Sequence, residues 1–223
     1  MALFHEIGED YRAVRRHDPS IPPGMRGVGE ILFCTPGLWA LLAHRGIHFL
    51  YAGLRLPVLP RFLSILMRWI TGIEIHPGAR VGRGVFIDHG MGVVIGQTAV
   101  VEDDVTLFQG VTLGATGNER GAKRHPTVRR GALIGCGARV LGDIVVGEGA
   151  RVGAGAIVVE DVPPGATVVG FPAFITRQGG EVRRSARGMV ERLERLEDEG
   201  RWLRERVEEL EGRLLPSDRS EVA

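Results

Sequence analysis

Residues 132–158 read Ala132-Leu133-Ile134-Gly135-Cys136-Gly137-Ala138-Arg139-Val140-Leu141-Gly142-Asp143-Ile144-Val145-Val146-Gly147-Glu148-Gly149-Ala150-Arg151-Val152-Gly153-Ala154-Gly155-Ala156-Ile157-Val158. Every sixth residue is aliphatic: Ile134, Val140, Val146, Val152 and Val158. Four positions after the first four of them comes a small or branched apolar residue: Ala138, Ile144, Ala150 and Ala156. A helix repeats at 3.6 residues and a simple strand at 2, so neither accounts for the beat. The hexapeptides of a parallel β-helix do, each supplying one short strand and one corner, with three making a triangular coil. The aliphatic residue points into the prism, and the glycine that often follows lets the backbone turn.

Working outward, the beat continues through Val128 and, further upstream, through Leu113, Leu107, Val101, Ile95, Ile87, Val81 and Ile75. It fails twice. The step from Ile87 to Ile95 carries extra residues in Asp88-His89-Gly90-Met91-Gly92. The step from Leu113 to Val128 extrudes a longer loop that ends in Lys123-Arg124-His125-Pro126-Thr127. Solenoid loops tolerate insertions. Irregularities in a repeat also tend to mark its binding face, and both of these carry a histidine.

Composition excludes several classes. With 223 residues and a formal net charge of +1, the chain has no global field that would draw nucleic acid or an anionic membrane. Cys34 and Cys136 are too few and too distant for a disulfide scaffold or a zinc motif. Residues 1–10 contain Glu6, Glu9 and Asp10 and lack the apolar core of a secretory leader. Charged residues interrupt 38–67, so no membrane span is expected, and the cytoplasm is the expected location.

Three regions follow. Residues 1–72 read as a short N-terminal helical domain, with helices over 1–17, from Pro36 to about Tyr51 and over about Arg61–Ile70, the last closed by Gly72. Residues 73–177 form the prism. Residues 178–223 read as a C-terminal helix with a frayed tail. Met189, Leu193, Leu196, Gly200, Leu203, Val207, Leu210 and Leu214 step alternately by four and three, a heptad seam. That helix either makes a coiled coil or lies on its own solenoid.

The prism region resembles the serine O-acetyltransferases, short form, within the hexapeptide-repeat acyltransferases. The resemblance rests on Gly72-Ile73-Glu74-Ile75-His76-Pro77-Gly78-Ala79, Asp88-His89-Gly90-Met91-Gly92, Gln109-Gly110-Val111-Thr112-Leu113-Gly114, Arg124-His125-Pro126 and Gly170-Phe171-Pro172-Ala173. His17-Asp18-Pro19-Ser20 is similar to the family's Asp-Pro element. The resemblance implies a mainly β fold, a left-handed parallel β-helix, assembled as a homotrimer with active sites between subunits.

It further implies acetyl transfer from acetyl-CoA to the hydroxyl of L-serine, giving O-acetyl-L-serine for cysteine biosynthesis. His89 would be the general base, a task suited to histidine's ordinary pKa of ~6.5, and Glu74 the carboxylate that orients it. Asp18, Asp88, Arg124 and His125 would bind serine. Gly114, Ala115, Thr116, Gly135, Cys136, Gly153 and Ala154 would contact CoA, with Arg120, Lys123, Arg129 and Arg130 near its phosphates. L-cysteine is implied as a feedback inhibitor. Ala223 stands where long-form members end in Ile, which argues against their complex with O-acetylserine sulfhydrylase.

Plainer readings exist for several of these residues. Asp18 could cap a turn, Glu74 could pair with a nearby arginine, His125 could be a loop residue, and His44 and His48, at i and i+4, read as packing. Two other activities suit the prism: acetylation of a sugar or antibiotic, or a carbonic-anhydrase-like hydration with zinc on His76, His89 and His125. No metal is expected for the primary reading.

Overall fold

Each hexapeptide forms one short strand and one corner, and the strands stack into three sheets, all parallel within the prism. The computed structural model describes residues 2–117, 121–171, 173–178, 181–182, 197–208 and 210. The first sheet holds β1 (Glu74–Ile75), β4 (Val94–Ile95), β7 (Thr112–Gly114), β10 (Arg139–Leu141) and β13 (Ile157–Val158). The second holds β2 (Arg80–Val81), β5 (Val100–Val101), β8 (Thr127–Val128) and β11 (Val145–Val146). The third holds β3 (Phe86–Asp88), β6 (Thr106–Phe108), β9 (Leu133–Ile134), β12 (Arg151–Val152) and β14 (Thr167–Gly170).

The beat becomes three vertical ladders. Ile75, Ile95, Leu113, Val140 and Val158 stand in register, as do Val81, Val101, Val128 and Val146, and Ile87, Leu107, Ile134, Val152 and Val168. All are buried except Val81, on the outermost strand of the second sheet. Burying each such side chain contributes about 1.5–3 kcal/mol. Past β14 the chain reverses into antiparallel β15 (Ala173–Gln178) and β16 (Glu181–Val182). That hairpin carries the sheet to Val182, beyond the expected end at Arg177, and covers the edge that β14 would otherwise expose.

Four helices precede the prism: α1 (Ala2–His17), α2 (Gly24–Cys34), α3 (Pro36–His48) and α4 (Leu59–Thr71), with a π-helical turn at Phe49–Gly53. The sequence reading contains no α2, because Gly24, Gly27 and Gly29 weaken helix propensity. Packing overrides propensity there. A Cβ on Gly27 would stand 1.9 Å from the Pro22 carbonyl oxygen, so glycine allows the close approach that buries Ile31. Gly37 serves α3 likewise, since a Cβ there would meet the Ile87 carbonyl oxygen at 2.2 Å. The helix thus rests directly on β3, the strand that ends in Asp88.

Arg45 of α3 ties α1 to the prism. Its guanidinium donates to both oxygens of Asp10, each at 2.8 Å, and to the Gly82 carbonyl at 2.9 Å, while Asp10 also accepts from the Gly84 N–H. Asp10 is 0% exposed. His44 and His48 pack on the first coil, against the carbonyls of Ala79 (3.2 Å) and Pro77 (2.8 Å) respectively.

Burial lowers the His44 pKa to about 3, with the charge of His48 adding to the effect. A buried histidine kept neutral binds fewer protons than its unfolded counterpart, so stability falls as pH drops below ~6.5. From there to pH 5 the loss is about 2 kcal/mol. The melting temperature should therefore fall between pH 7 and 5, and fall less in His44→Gln; equal losses in both proteins would remove His44 as the cause.

The chain divides into two units, residues 1–183 and 184–223. In the second, 197–208 are helical, with Trp202, Leu203 and Val207 exposed. Met189, Leu193, Leu196 and Leu214 of the heptad seam lie outside the described residues. Among the described residues no single helix is long and apolar enough to cross a membrane; the pair Gly24–Cys34 and Pro36–Gly53 is bent by 63°.

Candidate active site

The two breaks in the repeat leave different corners of the prism. Residues 89–93 connect β3 of the third sheet to β4 of the first, whereas 115–126 connect β7 of the first sheet to β8 of the second.

At the first break His89 takes a left-handed conformation, φ 58°, which is uncommon for a residue with a side chain. Its neighbours hold the turn. Gly90 N–H donates to the Asp88 carbonyl (2.6 Å), Met91 N–H to the His89 carbonyl (2.9 Å) and Gly92 N–H to the Gly72 carbonyl (2.9 Å). Gly72 is also the left-handed cap of α4, so the end of that helix is stitched to the turn. The His89 side chain is 74% exposed, and its Nε2 lies 3.8 Å from Asp88 Oδ1.

Glu74 shares this region through its N–H, which donates to the Val93 carbonyl at 2.9 Å. Its carboxylate, however, pairs with Arg68 (2.8 Å) and Arg61 (3.4 Å), and among the described residues it makes no hydrogen bond to His89. The pairing with a nearby arginine is thus present in the single chain.

Asp88 opens onto a cleft of ≈ 650 Å³ beside α1, shared with Arg16, His17, Phe86, Phe108 and Arg130. His17 stacks on Phe86 with centroids 5.5 Å apart, which docks the end of α1 there. Asp18 follows directly. Its Oδ1 accepts from the N–H (2.9 Å) and hydroxyl (2.6 Å) of Ser20, so it does cap a turn.

At the second break Arg124 and His125 are drawn together by Thr98, on the corner after β4. The Thr98 hydroxyl oxygen lies 3.0 Å from Arg124 N, 3.1 Å from His125 N and 2.8 Å from His125 Nδ1. The Arg124 guanidinium also donates to Gln97 Oε1 at 3.4 Å. His125 is 7% exposed, so it is a packed residue and not a free loop side chain. Burial lowers its pKa, with Arg124 and Lys123 adding to the shift. Thr98 carried no signal in the sequence, because a threonine in a turn is ordinary.

Below His89, the corner between the third and first sheets is a column of bare backbone. Gly92, Gly110, Gly137 and Gly155 are all left-handed, and Gly110, Gly137 and Gly155 donate to the carbonyls of Met91, Gln109 and Cys136 one coil above. Gly135, Cys136, Gly153 and Ala154 belong to this corner. A Cβ on Gly135 would stand 2.7 Å from Ala154 N. Gln109, quoted in the sequence without a role, leaves its Oε1 enclosed and unpartnered here.

Gly114, Ala115 and Thr116 leave the first sheet on its other side, where Gly114 accepts from Gly142 N–H at 3.0 Å. Arg129 and Arg130 stand at the remaining corner, in ion pairs with Glu102 and Asp103, and Lys123 pairs with Asp143. Arg120 lies outside the described residues.

Among the described residues no three His, Cys, Asp or Glu side chains converge to hold a metal. His76 and His125 each direct Nδ1 to a neighbour, Gly78 N–H and Thr98 respectively, so the histidines that a zinc hydratase needs are not assembled in one chain.

No family model matches the chain. It is 46% identical over 210 residues to the serine acetyltransferase of Synechococcus elongatus, covering 88% of this chain and 84% of that one. Solved structures that share the fold include three bound to ligands. Soybean serine acetyltransferase complexed with serine has a TM-score of 0.72 at 42% identity, over 78% of this chain and 69% of that one. The enzyme of Brucella abortus in complex with coenzyme A has a TM-score of 0.71 at 41% identity, over 77% of this chain and 66% of that one. A serine acetyltransferase in complex with cysteine has a TM-score of 0.75 at 38% identity, over 79% of this chain and 66% of that one. With that identity spread over most of both chains, and with a His-bearing turn set above a glycine corner, this chain belongs to the serine acetyltransferases.

Proposed function

We propose that this chain transfers the acetyl group of acetyl-CoA to the hydroxyl of L-serine, with His89 as the general base. The observation that carries the reading is the exposed imidazole of His89, held in a strained turn at the head of the glycine corner. His89 takes the proton of the serine hydroxyl as its oxygen attacks the thioester carbonyl. The new C–O bond forms, the C–S bond breaks, and the proton passes from His89 to the departing sulfur. A positioned base of this kind contributes about 10²–10⁴-fold.

Glu74, anchored by Arg61 and Arg68, supplies the anion that steadies the imidazolium. Asp88, from the cleft beside α1, and Asp18 take the substrate ammonium. Arg124 pairs with its carboxylate, and His125 contacts it alongside. The pantetheine arm lies on the corner at Gly135, Cys136, Gly153 and Ala154, where side chains are small or absent, and Gly114, Ala115 and Thr116 contact the coenzyme from the other side of the first sheet. L-cysteine, which differs from serine in one atom, occupies the serine site as an inhibitor. A sugar acceptor would leave the acidic and arginine groups without a role.

His89 and Arg124 leave different corners, an arrangement that a site shared between two subunits would bring onto one serine molecule. That supports a homotrimer with sites between chains. Phe62, Trp69 and Ile70 of α4 form an exposed apolar face (Trp69 is 80% exposed) that self-association would cover. The C-terminal seam fits the same symmetry. With Leu203 and Leu210 at d and Val207 at a, parallel in-register helices would set Glu199 against Arg204, a pair of opposite charge.

The test is serine-dependent CoA release. Arg124→Ala should raise the serine KM at least tenfold, about the worth of one charged hydrogen bond, with kcat largely kept. An unchanged KM would contradict its role, and indifference to serine in the parent, with activity on galactosides, would end the reading.

A further inference from the structure

The Thr98 hydroxyl has one proton to donate and two lone pairs to offer. Both lone pairs are taken by the backbone N–H groups of Arg124 and His125, at 3.0 and 3.1 Å. Its own proton is then left for the atom 2.8 Å away, His125 Nδ1. The backbone N–H of Thr98 points at the same nitrogen from 3.3 Å, which also requires a lone pair there. Nδ1 is therefore an acceptor, and in the neutral ring the proton must sit on Nε2.

The ring is set flat by Gly96. A Cβ at that position would stand 1.9 Å from His125 Cδ2 and 2.1 Å from Nε2. Among the described residues the fully enclosed side-chain atoms that lack a partner are His44 Nδ1 and Gln109 Oε1, and His125 Nε2 is not one of them. Among the described residues Nε2 has no hydrogen-bond partner, which leaves its N–H to be taken by a substrate group, on the loop end that also carries Arg124.

We propose that Thr98 is a positioning residue of the serine site, fixing His125 as the Nε2–H tautomer so that it donates, together with Arg124, to the substrate carboxylate. The inference rests on the serine-acetylating reading. It separates the two histidines by role: His89 removes a proton, whereas His125 offers one and keeps it. Positioning through one hydroxyl also explains how a loop extruded from the prism returns both side chains to a defined place, since three hydrogen bonds between its last residues and Thr98 converge on a corner that belongs to the regular repeat.

Thr98→Val keeps the shape and removes the hydroxyl; Thr98→Ser restores it. Relative to the parent, Thr98→Val should raise the serine KM about tenfold, the effect of losing one such hydrogen bond, while kcat changes little and the acetyl-CoA KM is unaltered. Thr98→Ser should return to near the parent value. Long-range ¹H–¹⁵N spectra of His125 supply a readout independent of activity. In the parent and in Thr98→Ser, Nε2 should give the signal of a protonated nitrogen and Nδ1 that of an acceptor; in Thr98→Val the two should average between tautomers. A protonated Nδ1 in the parent, identical spectra in Thr98→Val, or a loss confined to kcat would overturn the proposal. Failure of the parent to acetylate serine would sink the activity reading instead and leave the tautomer measurement standing.

Discussion

His89→Ala should lower kcat by about 10²–10⁴-fold, the usual contribution of a positioned base, with the protein still folded and its serine KM within a few-fold of the parent. The side chain is 74% exposed and contributes nothing to the core, so its removal carries no packing cost. It also relieves no essential hydrogen bond: the turn is held by backbone groups of Gly90, Met91 and Gly92, which the substitution leaves in place. A second measurement separates a base from a mere contact. If the site combines His89 of one chain with Arg124 of another, co-expressed His89→Ala and Arg124→Ala chains should show more activity at low serine than either variant alone, because some interfaces unite two intact side chains. Near-parent turnover in His89→Ala would remove it as the base, and no recovery in the mixture would place both groups within one chain.

Arg45→Met should destabilise the protein by about 3–5 kcal/mol, because it strands the Asp10 carboxylate, 0% exposed, without its partner. The double variant Arg45→Met with Asp10→Leu should recover most of that loss, since replacing a buried pair by apolar groups is often nearly neutral. Chemical denaturation of the three variants checks the sign. If the single substitution cost no more than an exposed ion pair, ~0–1 kcal/mol, Asp10 would have to reach solvent by a local opening of α1. The pair also matters for the site. Arg45 bonds to the Gly82 carbonyl on the corner between β2 and β3, and α1 ends in His17, which lines the Asp88 cleft. Loosening α1 should therefore raise the serine KM along with the loss of stability.

Much of this was legible in the chain. The aliphatic positions from Ile75 to Val158 all fall in the vertical ladders, because a solenoid rewards the same inward residue at every coil and writes its period into the sequence. The two breaks were legible for the same reason, as departures from a strict rule. The α2 helix was not. Its glycines oppose helix formation locally, and only contact with Pro22 explains why they are tolerated. For Glu74 the chain suggested pairing with a nearby arginine but not which one; Arg61 and Arg68 reach it because α4 packs over β1.

Thr98 shows where reading along the chain stops. Its partners Arg124 and His125 are distant in sequence and adjacent only because the first sheet stacks β4 beside β7 and the loop between β7 and β8 returns over that corner. The sequence by itself determined the repeat, the inward ladders and the residues capable of proton transfer and carboxylate binding, since these depend on periodicity and side-chain chemistry. The tertiary structure alone decided which corner each group occupies, which carboxylates are already paired and which nitrogen of His125 keeps its proton. Those depend on lone pairs and close approaches between coils, and a linear pattern does not encode them.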